Sequence, residues 1–322
     1  MSPEPERPPT VVVAMGGHAF MLPGERGTHE QAERNARTIG EALMTFVERG
    51  YNLVLSHGNG PQVGDLLEAV ERTRDHIPPR PLDVLVAETE GSLGYLLQCA
   101  LLNELRTRKL ERYVVTVITQ VLVDPDDPAF AAPTKPVGPS LAEDQAKARA
   151  AEDGWQIKQD GERGWRRVVP SPRPVKVIQR HMIREAAYRG HIVIAGGGGG
   201  IPVTKDPSSK DYVGVEAVID KDLTSSVLAT NVRADLLVIL TAVDGVYLDW
   251  GGPNQRRLGA VTMAECKSYI DGDQFPAGSM GPKVEAIYGF LERGGKRGLI
   301  TDAEHLAEAL DGKGGTHFVG RI

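Results

Sequence analysis

The chain has 322 residues, is 41% hydrophobic and carries a formal net charge of −6. Such a chain can fill one large α/β domain or two lobes, and its negative charge excludes nucleic-acid binding driven by bulk electrostatics. Its cysteines, Cys99 and Cys266, lie far apart without metal or redox spacing, which suits a reducing cytoplasm, and no apolar run reaches the ~18 residues of a membrane span.

Residues 1–10 are acidic and proline-rich and lack the basic start and apolar centre of a signal peptide, so they read as a disordered tail. Val11 to Met15 is an unbroken apolar run, hence a buried strand, ended by Gly16, Gly17 and His18. Thr28 and Gln31 form a capping-box pattern ahead of Ala32, Ala36, Ile39, Leu43 and Phe46 at helical spacing. Gly50 stands where a C-cap glycine belongs. Leu53 to Leu55 makes a second strand, closed by Gly58, Asn59 and Gly60. The strand–glycine loop–helix rhythm predicts a mainly parallel sheet with helices on both faces, and ligands on such sheets gather at the carboxyl ends of the strands. Gly58-x-Gly60-x-x-Val63-Gly64 misses the dinucleotide fingerprint by one place, and no P-loop or protein-kinase signature is present.

Residues 87–105 read as a buried helix, and Val114 to Val123 as one strong β run. Residues 125–174 change texture. Five prolines precede a helix at Leu141 to Glu152 and a hairpin turning at Asp160-Gly161. This stretch is expected to be an inserted lid subdomain carrying Lys135 within an N-terminal lobe of residues 11–190, although Lys135 taken alone reads more readily as a solvated surface lysine. A second lobe is expected over residues 191–322. It opens on the strand Ile192 to Ala195 and the five glycines Gly196 to Gly200, whose bare N–H groups suit an anion. A flexible linker is the alternative. Ala217 to Ser226 reads as a helix start, with Lys221 between Asp220 and Asp222. A third strand, Leu236 to Thr241, runs into Val243 and Tyr247, and a Gly/Pro loop delivers Met280 and Lys283 to a helix N-terminus. A lysine there opposes the helix dipole, which suits a bound anion better than stability.

Taken in order, His57-Gly58-Asn59-Gly60-Pro61-Gln62-Val63-Gly64, Pro133-Thr134-Lys135-Pro136-Val137-Gly138-Pro139, Gly164-Trp165-Arg166-Arg167, Val218-Ile219-Asp220-Lys221-Asp222 and Gly278-Ser279-Met280-Gly281-Pro282-Lys283 resemble the carbamate kinases of the amino-acid-kinase family, almost end to end. The resemblance implies a three-layer αβα sandwich, a homodimer, and reversible phosphoryl transfer between MgATP and carbamate, giving ADP and carbamoyl phosphate. It implies that the reaction often runs towards ATP at the end of arginine, agmatine or purine-nitrogen breakdown. It places Lys221 and Lys283 on the transferring phosphoryl group and the ATP phosphates, with Lys135 closing from the lid onto the substrate side and Asp222 orienting the lysines. Gly16, Gly17, His18, Gly58, Asn59 and Gly60 would hold carbamate and the phosphoryl group. Gly197, Gly198, Gly199, Thr241, Val243, Tyr247 and Met280 would form the nucleotide side. No protein metal cluster is implied, Mg²⁺ being held mainly by phosphates and water. The chain departs from the family's usual residues at His18, Phe20, Glu90 and Ser140-Leu141. Rival readings are a kinase of this fold acting on another small carboxylate or phosphonate, and a non-catalytic nucleotide sensor.

Overall fold

The central strands of the main sheet present two apolar faces, and this sorts the helices into layers. The computed structural model describes residues 7–16, 19–161, 164–275 and 279–320. The main sheet takes β1 (Thr10–Met15), β2 (Asn52–His57), β3 (Val114–Val117), β9 (Ile192–Ala195), β12 (Leu236–Leu240), β15 (Ala260–Thr262), β16 (Arg297–Thr301) and β17 (Thr316–Val319). Their order is β15-β17-β16-β12-β1-β2-β9-β3. Only the β16–β17 pairing is antiparallel. Val11, Val13 and Met15 of β1 join Leu53, Leu55 and Val238 against α1 (His29–Glu48), α3 (Leu82–Thr107) and α9 (Leu306–Leu310). Val12 and Ala14 face the other way with Val54, Val193 and Ile239. They pack on α5 (Arg180–Tyr188), α6 (Lys221–Asn231), α7 (Met263–Asp271) and α8 (Gly281–Glu292). The result is an α/β fold of three layers.

Three smaller sheets complete the architecture. β4 (Gln120–Val123), β8 (Pro174–Val177), β10 (Ile201–Lys205) and β11 (Tyr212–Gly214) form one. β5 (Lys135–Leu141), β6 (Gln156–Gln159) and β7 (Trp165–Val169) form another, next to α4 (Glu143–Asp153). The ribbon of β13 (Tyr247–Leu248) and β14 (Arg256–Arg257) is the third. A third apolar cluster joins α2 (Gly60–Thr73) and the first turns of α3 to Val137, Val169, Ile201 and Val203.

Several expectations change. The run from Val114 to Val123 is two strands in two sheets, because buried Thr119 turns the chain between them. The Thr119 N–H donates to Glu90 at 2.7 Å, and its hydroxyl accepts the Gly196 N–H at 2.9 Å. β9, read as the opening of a second lobe, is hydrogen-bonded between β2 and β3, so the boundary expected at residue 191 falls inside one continuous sheet. Residues 7–10 are tied down, since Arg7 donates to Asp235 at 3.0 Å and to the Arg233 carbonyl at 2.9 Å. α6 begins at Lys221 rather than at Ala217, where Asp220 caps it by accepting from the Asp222 N–H at 2.9 Å. The capping box at Thr28 and Gln31 is present. Among the described residues no helix is long and apolar enough to cross a membrane.

Candidate active site

The parallel order of β1, β2 and β9 lines up the loops that follow them at one sheet edge. The Gly58 N–H donates to the Met15 carbonyl at 3.0 Å, which ties the loop after β2 to the end of β1. Gly16 closes β1; Gly17 and His18 lie outside the described residues. Asn59, almost fully buried, donates its amide to Thr89 Oγ1 at 2.8 Å, and Gly60 starts α2 with Pro61 in its first turn. The loop is thus held by α3 through Thr89 and leads directly into the N-terminus of α2.

The glycines after β9 fold into a buried 3₁₀ turn over Gly197–Gly199. Gly196 and Gly198 have φ of 70° and 65°, in the left-handed region. A Cβ on Gly198 would fall 2.2 Å from the Asn59 amide nitrogen, and one on Gly197 2.6 Å from the His57 ring. The Gly199 and Gly200 N–H groups donate within the turn, and Gly196 donates to Thr119. The expected anion cradle is therefore largely a packing element, whose N–H groups are mostly committed and whose bare surface lets β2 and β9 loops touch. Gly198→Ala is expected to destabilise the protein by about 3 kcal/mol through overpacking and left-handed strain. Urea unfolding checks this; an unchanged midpoint would refute the contact.

Lysines and aspartates meet at the start of α6. Asp222 is buried and pairs with the Lys221 ammonium and, at 3.1 Å, with Lys283 Nζ. Lys283, in the first turn of α8, also donates to the Ser279 carbonyl at 3.1 Å, so carbonyl and carboxylate oppose the unfavourable dipole. Lys135, at the start of β5, reaches Asp220 at 3.3 Å. The structure therefore brings Lys135, Lys221, Asp222 and Lys283 together and adds Asp220, which the sequence reading left as a neighbour of Lys221. The signal for it was present, an aspartate directly before a helix, but its link to Lys135 spans 85 residues. Burial pushes the Asp222 carboxyl up, but Lys221 and Lys283 outweigh it and hold it below its usual range. Its contribution to stability is complete above the ordinary value of 3.8 and is lost as pH falls towards the lowered folded value. Burial, reinforced by the Lys221 charge, pushes His57 down to about 4, so the ring is neutral and donates from Nδ1 to the Gly58 carbonyl at 3.1 Å. Phe20 packs edge-on against that ring with centroids 5.4 Å apart.

Thr241, Val243 and Tyr247 follow β12, on the opposite side of β1 from the Asn59 loop. Thr241 donates its N–H to the Thr301 carbonyl at 2.9 Å. Asp244 accepts from Tyr247 Oη and Arg257 Nη1, both at 2.7 Å, which fixes the β13–β14 ribbon. Met280 caps α8, one turn from Lys283. Such a constellation can align and neutralise phosphoryl groups and offers no nucleophile of its own.

A family model described as the amino acid kinase family matches residues 9–302. The chain is 48% identical over 312 residues to the carbamate kinase of Pyrococcus furiosus, covering 96% of this chain and 98% of that protein. It is 47% identical over 311 residues to the carbamate kinase of Pyrococcus horikoshii, with the same coverage. The structure of Giardia lamblia carbamate kinase bound to AMP-PNP superposes with a TM-score of 0.93 at 37% identity, covering 98% of this chain and 99% of that one.

Proposed function

The chain belongs to the amino acid kinase family, in its carbamate kinase branch, and from that premise we propose how this ATP-dependent phosphotransferase works: a carbamate oxygen and the β-phosphate of ADP exchange one phosphoryl group across the Lys221–Asp222–Lys283 centre. The observation that carries the reading is that pairing, a single buried carboxylate holding two ammonium groups, one from the N-terminus of α6 and one from that of α8. In the ATP-consuming direction a carbamate oxygen forms a bond to the γ-phosphorus as the bond to the β,γ-bridging oxygen breaks, and ADP leaves with that electron pair. No proton has to move. The chain's part is alignment and positive charge where charge spreads over the transferring oxygens.

Lys221 and Lys283 would touch the transferring group, and Lys135 would approach from the acceptor side. The Gly16 and Gly58–Gly60 loops would orient carbamate, with Asn59 fixed by Thr89. Gly17 and His18 would complete the first loop. Thr241, Val243, Tyr247 and Met280 would flank the nucleotide, and Gly197 to Gly199 would back the site between them. Residues 125–174 would serve as a lid. Its three-stranded sheet bears on α2 through Val137 and Leu67, and Lys135 links it to Asp220 at the centre. Among the described residues no group of three or more His, Cys, Asp or Glu could hold a metal ion. Mg²⁺ would come with the nucleotide, held mainly by phosphates and water, and supply charge neutralisation between phosphates.

The free thiols Cys99 and Cys266 support a cytoplasmic setting. A homodimer is supported by the free edge of β3, flanked by exposed Tyr95, Leu102, Tyr113 and Ile118. The ATP-forming direction, fed by breakdown of nitrogen compounds such as arginine, is the physiological sense we favour.

The deciding experiment is initial-rate ATP formation from ADP, Mg²⁺ and carbamoyl phosphate, beside acetyl phosphate and a phosphonate panel. Carbamoyl phosphate should lead by at least about 10²-fold in kcat/KM. Preference for another donor would move the assignment to a different small carboxylate, and a folded, ATP-binding protein without turnover would make it a sensor.

A further inference from the structure

Glu90 sits in mid-α3, where that helix passes from the cluster holding Leu82, Leu85 and Val86 to the one holding Leu93, Leu97 and Leu101. It is 1% exposed. Its Oε2 accepts the Thr119 N–H at 2.7 Å. The Gly197 N–H lies near enough to favour the charged form, yet Oε1 makes no full hydrogen bond. The side chain also touches the glycine turn directly, since a Cβ on Gly197 would meet Glu90 Cγ at 3.1 Å. Its neighbour Thr89 accepts from Asn59. One helical step therefore grips both loops, Thr89 the loop after β2 and Glu90 the turn after β9.

The groups facing Glu90 leave its carboxyl without a counter-charge. From β2 comes His57, which is neutral and lies against Gly197. From α6 comes Lys221, whose charge reaches His57 but is paired with Asp222. The residue before β4, Thr119, is uncharged, the turn offers only glycines, and on α3 itself Glu88 pairs with Arg80.

We propose that Glu90 is a positioning residue for the transfer: its single buried carboxyl holds the Gly196–Gly200 turn and the start of β4 in the register that keeps Asn59 in the site. The inference rests on the phosphotransferase reading above. With no cation beside it, burial pushes this carboxyl well above the usual carboxylate range despite the Thr119 and Gly197 N–H groups. As a neutral acid it accepts from Thr119 through one oxygen and has a donor on the other. Ionisation at higher pH would place a bare charge beside the Asn59 loop and loosen the turn, and misplacing an orienting loop costs turnover.

The test uses the full-length enzyme with E90Q and E90A. E90Q keeps the shape and a donor, so its kcat should stay within about 3-fold of the parent at neutral pH, while E90A should lose about 10²-fold in kcat with the KM for ADP nearly constant. Over the alkaline range the parent's kcat should fall and that of E90Q should stay level. Two readouts do not depend on turnover. The thermal midpoint of E90Q should rise above the parent's increasingly as pH climbs above the ordinary carboxylate value of 4.5, because a raised folded pKa makes the protein lose stability over that window. The infrared carbonyl band of a protonated carboxylic acid should persist in the parent at pH values above the ordinary 4.5 and be absent from E90Q. Superimposable pH profiles with a midpoint difference that is flat against pH, or no such band, would overturn the inference. A parent enzyme without turnover would sink the functional reading, and the midpoints and the band would still decide Glu90.

Discussion

Lys283→Ala and Lys221→Ala are each expected to lower kcat about 10³-fold with the fold preserved, the scale for removing one preorganised positive group from a phosphoryl-transfer site. Neither lysine packs an apolar core. Both end on Asp222, and their stems line the site rather than the sheet. Deleting either leaves Asp222 paired with the other, so no unpaired buried charge remains. The loss should therefore fall on the chemical step, with kcat and kcat/KM dropping together. Circular dichroism and urea unfolding would verify the fold. A variant that keeps near-parental kcat would remove that lysine from the transfer step.

Asp222→Ala is expected to reduce turnover about as severely and, unlike the lysine variants, to cost about 3 kcal/mol of stability, the scale for breaking a buried ion pair from one side. Without the carboxylate, two ammonium groups face each other at a helix N-terminus that already carries partial positive charge. Asp222→Asn keeps the shape and removes the charge, and should fall between. The strongest check is a double-mutant cycle. Lys283→Ala should rescue part of the stability lost in Asp222→Ala, because it removes one orphaned charge. Strictly additive losses would show that the three side chains do not act as one unit.

The central sheet is legible in the sequence because its strands are unbroken apolar runs ended by glycine, a pattern that a buried parallel sheet imposes on each strand separately. The lysines are legible as residues, since each stands beside a helix start or in a proline-rich loop. What joins them is not. Asp220 to Lys135, Asp222 to Lys283 and Thr119 to Glu90 are contacts between segments that only the tertiary fold brings together. The five glycines show how local reading misleads. Their composition points to a phosphate cradle, whereas Asn59, His57, Ile219 and Val121 crowd four of them from outside, a crowding that no local pattern records. Thr119 likewise sits inside an apparently continuous β run and turns it, because its hydrogen bonds go to Glu90 and Gly196.

The pre-pairing of the lysines has a consequence for salt. At rest Lys135, Lys221 and Lys283 face Asp220 and Asp222, so the empty site holds one unbalanced positive charge. Such a site gathers few counter-ions from solution and has few to release when a polyphosphate enters. Nucleotide affinity should then depend only shallowly on ionic strength, and inorganic phosphate or sulfate at ordinary concentrations should occupy it poorly. Discrimination among competing anions would come from ligands that carry their own divalent cation and span several loops at once.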